Sequence, residues 1–160
     1  MKKSADISEC QKYRYSLERV WDETKPLIGF IGLNPSTADH LEDDPTICRC
    51  INFAKLWGAG GIYMTNLFAY RATSPSDMFE QENSIGLEND KYLSQLSSKT
   101  SKTVVCWGND GAHKNRANEV KKLLKGDLFC LAINKTGEPK HPLYVSGSTE
   151  LMPYKRVSNN

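Results

Sequence analysis

No stretch of this chain is apolar for long enough to cross a bilayer. The longest apolar runs, 27–33 and 62–64, fall far short of the ~20 residues that a span needs. A dominant charge is missing as well, because 21 basic against 19 acidic residues leave +2. Any face that binds phosphate must therefore be a local patch. His, Cys and carboxylate residues show no metal-ligand spacing, and Cys48-x-Cys50 puts its thiols on different faces of a helix. Internal repeats, low-complexity stretches and a dividing linker are absent too. The opening Met1-Lys2-Lys3-Ser4-Ala5-Asp6 resembles a signal-peptide start, but no apolar core follows it. A cytoplasmic protein is expected, with no membrane partner, no metal and no cofactor. The odd count of five cysteines, scattered mostly among apolar neighbours, reads as reduced core thiols.

What is present is ordinary globular material. The 160 residues are 39% hydrophobic and 25% charged, enough for one compact domain over 1–160. Its core is expected at about 27–145, with an N-terminal strand over 13–20 and a short C-terminal tail. Residues 13–20 alternate with period two, as in an edge or antiparallel strand. Continuous apolar runs at 27–33, 62–67, 103–107 and 128–131 suit strands buried on both faces. Asp44-Pro45 marks a helix start, and the glycines at 58–61 its stop. Helices are also expected over 82–96 and 112–125. Strands separated by helices predict a three-layer α/β/α sandwich whose mainly parallel central sheet has about four strands.

In such a sheet, ligands bind beyond the carboxyl ends of the strands. The loops beginning at Asn34, Asn66, Gly108 and Lys135 would then share one rim. Pro35 stiffens the turn that presents Asn34, and Ser36 and Thr37 could bind phosphate oxygens. Asn66 can offer donor and acceptor to a base edge, Phe68 and Tyr70 could stack on a base, and Arg71 could meet a phosphate. Trp107, Gly108 and Asn109 close the third strand at the same rim. Asp43 and Asp44 could act as base or ligand, although a helix cap paired with Arg49 is the plainer reading of Asp44. His141, held by Pro142, is the histidine expected at the rim, facing Asn34 across a slot. Lys114 and Arg116 belong to the polar face of the expected 112–125 helix and are candidate DNA contacts.

Four segments in order resemble the uracil-DNA glycosylase superfamily: Gly32-Leu33-Asn34-Pro35, Tyr63-Met64-Thr65-Asn66, Val104-Val105-Cys106-Trp107-Gly108 and His141-Pro142. The string from Asn34-Pro35-Ser36-Thr37-Ala38-Asp39 through Asp43-Asp44-Pro45-Thr46 to Asn66-Leu67-Phe68-Ala69-Tyr70-Arg71-Ala72-Thr73 more closely resembles a bacterial and phage domain family of unknown function. The superfamily resemblance implies a glycosylase-like fold and an enzyme that cleaves the N-glycosidic bond of a DNA base. It implies that Asn34 positions the attacking water, Asn66 reads the extruded base, His141 stabilises the departing base and Leu143 wedges the duplex. Arg49 would join the DNA contacts.

Two departures redirect that implication. Asn34 stands where the fastest members carry Asp, so Asp39 or Asp43 would have to assist. Leu143-Tyr144 replaces the usual Ser-Pro after His-Pro. Both changes favour a modified or non-standard base over plain uracil, in phage-related contexts. The rival expectations are a non-catalytic nucleotide- or nucleic-acid-binding module, and a hydrolase of a small nucleotide or nucleoside.

Overall fold

The structure, a computed structural model, describes residues 1–155. Among them one sheet contains seven strands: β1 Lys2–Ile7, β2 Arg14–Val20, β3 Leu27–Gly32, β4 Gly61–Asn66, β5 Lys102–Val105, β6 Leu128–Cys130 and β7 Met152–Tyr154. Their spatial order is β1-β2-β4-β3-β5-β6-β7. The pairs β4–β3, β3–β5 and β5–β6 are parallel, whereas β1–β2, β2–β4 and β6–β7 are antiparallel.

The expected four-stranded, mainly parallel sandwich of the glycosylase kind is therefore corrected to a seven-stranded mixed sheet. The physical reason lies in the added strands. β1 is largely polar and exposed, and β7 has three residues with Pro153 among them. Neither carries an apolar run, and both gain their strand state from a neighbour's unpaired edge. The expected tail thus supplies an edge strand, and its end, residues 156–160, lies outside the described residues. Of the two alternatives for β2 the antiparallel one holds: it pairs antiparallel with both β1 and β4, so it is not an edge strand.

Alternation along the strands sorts the core into two clusters. Ile28, Phe30, Ile62, Met64 and Val104 pack with Ile47, Cys50, Ile51, Phe53 and Ala54 of helix α1, Pro45–Leu56. Ile31, Tyr63 and Val105 pack with Leu93 and Leu96 of α3, Asn89–Lys99, and with Ala117 and Val120 of α4, Arg116–Lys121. Between α1 and α3 lies the single-turn α2, Pro75–Phe79.

Two helices differ from expectation. The one expected over 82–96 begins only at Asn89. The one expected over 112–125 is a tight 3₁₀ segment, Asn109–Asn115, followed by α4. Lys114 and Asn115 break it by taking φ of 53° and 58°, a left-handed conformation that Asn tolerates. The thiols are corrected as well: Cys50, Cys106 and Cys130 are buried, but Cys10 and Cys48 are exposed. None of the described helices is long and apolar enough to cross a membrane.

Strand direction places the site. β3, β4 and β5 run parallel, so Asn34, Asn66 and Trp107 follow or end their strands at one rim. β2 runs the other way, so its first residue, Arg14, arrives at the same rim.

Candidate functional site

At that rim lies a cavity of about 760 Å³ whose wall includes Arg14, Asn34, Asp44, Asn66, Trp107 and His141. Its volume falls within the ~300–1,000 Å³ typical of small-molecule sites.

Asn34 is half-buried, and its side chain is fixed at one end. Nδ2 donates to the carbonyl of Pro35 at 3.0 Å and to that of Ala72 at 2.9 Å. Two carbonyls on one side identify that end as the NH₂ and leave Oδ1 as an acceptor. Asn66 is fixed the opposite way. Its Oδ1 accepts from Arg14 Nη2 at 3.3 Å, and its backbone carbonyl accepts from Asn89 Nδ2 at 2.9 Å. Nδ2 of Asn66 has no hydrogen-bond partner among the described residues. Gly32 makes room for it, since a Cβ there would come within 2.9 Å of that nitrogen.

Asp44 closes the turn between β3 and α1. Its Oδ1 accepts from Ile47 N at 2.9 Å as the N-cap of α1, and its Oδ2 accepts from Ala38 N at 3.3 Å. The expected helix start at Asp44-Pro45 is thus in place, and the same carboxylate forms part of the cavity wall.

His141 arrives from the loop after β6. Its Nδ1 accepts from Leu143 N at 3.1 Å, in the tight turn that Pro142 initiates. Burial holds its pKa below the ordinary value, opposed by the charge on Asp44. At neutral pH the ring is therefore uncharged, with its proton on Nε2. Arg49 holds this turn against α1: its Nε donates to Pro142 O at 3.2 Å and its Nη2 to Val145 O.

The expected site residues divide into two groups. Asn34, Pro35, Ser36, Asn66, Trp107, Gly108, Asn109, His141 and Leu143 all meet in the cavity wall. Thr37, Tyr70 and Arg71 line a shallower groove beside it. The others lie elsewhere. Asp43 pairs with Arg19 at 2.7 Å and Lys3 at 3.5 Å. Asp39 accepts from the backbone N–H groups of Leu41 and Glu42, both at 2.8 Å, and those bonds hold its carboxyl below the usual range. Phe68 is a core residue packed near His113. Arg116 is buried against Asp90 and Glu119, and Lys114 is exposed on the 3₁₀ segment.

The sequence reading passed over several polar wall residues, Asp110, Asn134 and Lys140 among them, and the buried one is Arg14. It is 2% exposed. Its Nη1 donates to Ala38 O at 3.0 Å, and its Nε is buried without a partner. Burial lowers its pKa to about 10, so it remains a cation at neutral pH. The only sequence signal was a basic residue opening an alternating strand, and that signal becomes informative once the strand is known to run antiparallel into the rim.

A family model described as a protein of unknown function (DUF1643) matches residues 14–143. No curated protein and no solved structure matches the chain. The matched span opens at Arg14 and closes at Leu143, so it takes in every residue of the cavity wall except Tyr144. On this match the chain belongs to the DUF1643 family of unknown function.

Proposed function

We propose that the protein hydrolyses the N-glycosidic bond of a nucleotide unit carrying a modified or non-standard base. The observation that carries this reading is the neutral His141, with Nδ1 occupied by Leu143 N–H, in one cavity with the fixed amides of Asn34 and Asn66.

The chemistry follows from where charge develops. As the C1′–N bond breaks, its electron pair leaves with the base, and positive charge grows on the sugar. Nε2–H of His141 offers a hydrogen bond to the anionic base, and this bond strengthens as the charge develops. Oδ1 of Asn34 orients a water whose oxygen joins C1′, while the proton it releases neutralises the departing base. The Asp44 carboxylate adds negative potential beside the developing sugar cation.

The test is release of free base, followed by chromatography, from oligonucleotides carrying a panel of modified bases. His141→Ala should slow release about a hundredfold, the low end of the ~10²–10³-fold cost of losing such a donor, and Asn34→Ala, which loses the group that orients the water, should slow it as well. Full activity in both variants would sink the assignment. A second reading, binding without cleavage, is favoured by one observation. Both Asp44 oxygens already accept backbone N–H groups, so this buried wall carboxylate is not free to act as a base. That reading predicts retention of the oligonucleotide with no abasic product.

A further inference from the structure

Beside the cavity runs a shallow groove of about 430 Å³ that shares Ser36, Ala72 and Thr73 with the cavity wall. We propose that this groove is a phosphodiester subsite, which makes the substrate a nucleic-acid strand and not a free nucleoside. The proposal rests on the preceding reading and assigns its substrate class.

The groove collects donors that are mostly uncommitted among the described residues. Lys12 and Arg71 are brought side by side where Arg71 N donates to Lys12 O at 2.8 Å, next to the Tyr13–Tyr70 bridge. Arg71 makes one side-chain hydrogen bond, from Nη1 to Gln11 O at 3.2 Å, and its Nε is buried without a partner. Among the described residues no carboxylate lies within ion-pair distance of either cation. Asp39, the acid whose charge Arg71 feels, spends its Oδ1 on two backbone N–H groups. The hydroxyls of Ser36, Thr37 and Thr73 stand on the same wall without a hydrogen-bond partner among the described residues.

The contrast with the other described arginines strengthens the case. Arg19 and Arg116 are ion-paired, Arg49 is committed to two carbonyls, and Arg14 is sealed in the cavity wall. Two cations without an ion-pair partner and three hydroxyls that can donate, on a groove wall that holds no carboxylate, suit phosphate oxygens. The shared wall means that a strand laid along the groove would bring its neighbouring nucleotide to the cavity mouth.

The test measures binding of a fluorescein-labelled single-stranded DNA nonamer to the full chain by anisotropy across a salt series. It compares wild type, Lys12→Gln, Arg71→Gln and, as a control, Lys125→Gln. Arg71→Gln should weaken binding about tenfold and Lys12→Gln about threefold, as loss of a charge-assisted contact and of an exposed cation. Each should flatten the slope of log K against log salt by about 0.7, the contribution of one phosphate on a single strand. Lys125→Gln should change neither quantity. A nucleoside should be indifferent to all three variants, and a nucleoside 5′-monophosphate should compete far more weakly than the strand.

Wild-type affinity and slope in both groove variants would overturn the proposal, and so would a monophosphate that competes as well as the strand. The exposed Lys12 keeps the test decisive should Arg71→Gln misfold. Strand binding that the variants weaken, without any base release, would leave this subsite standing and remove the hydrolase reading. Base release from free nucleosides, unaffected by the variants, would do the reverse.

Discussion

Arg14 and Arg19 lie five residues apart on the same strand, and both are buried, yet their surroundings are opposite. Arg19 is saturated. Its Nε meets Asp43, its Nη1 meets the carbonyls of Ser4 and Glu18, and its Nη2 meets those of Asp39 and Glu42. Five N–H groups have five acceptors, and the guanidinium ties the 39–43 turn to β1 and β2. Arg14 has two acceptors for its five N–H groups, an Nε with no partner and, among the described residues, no carboxylate within ion-pair distance, and it borders a cavity. A buried polar group left under-satisfied costs stability. Its persistence at a cavity wall marks a group kept for what it does to the site, here holding Asn66 in one orientation. The saturated partner marks a group kept for the fold.

Methionine of similar length, placed at each position in turn, is the strongest way to break this contrast. Arg19→Met strands four carbonyls and leaves Asp43 with Lys3 alone, and should cost about 3 kcal/mol, the low end of the range for removing one partner of a buried pair because Asp43 is partly exposed. Arg14→Met strands only Ala38 O and Asn66 Oδ1 and relieves a buried, unpaired cation. It should cost less than half as much in a denaturant titration. Base release or strand binding should nevertheless fall about tenfold in Arg14→Met, since Asn66 is then free to flip (~1.4 kcal/mol, one lost hydrogen bond). Equal stability losses at the two sites would erase the distinction between them.

The same pair shows how much of the molecule was legible beforehand. The buried runs 27–33, 62–67 and 103–107 announce β3, β4 and β5, because each strand is covered on both faces. The Asp44-Pro45 start of α1 is local chemistry and could be read directly. Asn34, Asn66 and His141 could be gathered at one rim because parallel strands end together. β1 and β7 could not be foreseen, since their pairing is decided by a neighbour's edge and not by their own residues. The fates of Asp43 and Asp44 were equally hidden. Adjacent in sequence, one turns to Arg19 and the other to the cavity, and only the path of the 39–43 turn decides which. Arg14 needed the direction of β2, a non-local fact that period-two alternation does not carry.

His141 offers a weaker lever on the functional half of the contrast. Its pKa is depressed below 6.5 by burial. The unfolded chain therefore takes up the proton first as pH falls. The contribution to stability is fully present above 6.5 and is lost as pH drops through the window down to the folded value. Base release should fail only as the ring becomes charged, on an acid limb that lies below 6.5. His141→Gln should remove that part of the acid destabilisation in thermal melts between pH 7 and 5. An acid limb above 6.5 would contradict the neutral, Nε2-protonated ring.

The smallest expected effect concerns the carboxylate that faces the under-satisfied arginine. Asp44→Asn keeps a side-chain oxygen for Ile47 N, and Asn is as good an N-cap as Asp, so the cap itself should lose only a few tenths of a kcal/mol. What it removes is charge. Asp44 raises the pKa of His141 against burial and does the same for Arg14. Without it the imidazole should titrate at still lower pH, an upfield move readable by NMR of the ring protons. Asp43→Asn, one residue before Asp44 in sequence but turned toward Arg19, should leave that titration in place and lower stability instead. If both substitutions shifted the His141 titration equally, the electrostatics would be a property of the whole 39–44 turn, and the division of labour between the two arginines would lose its acidic counterpart.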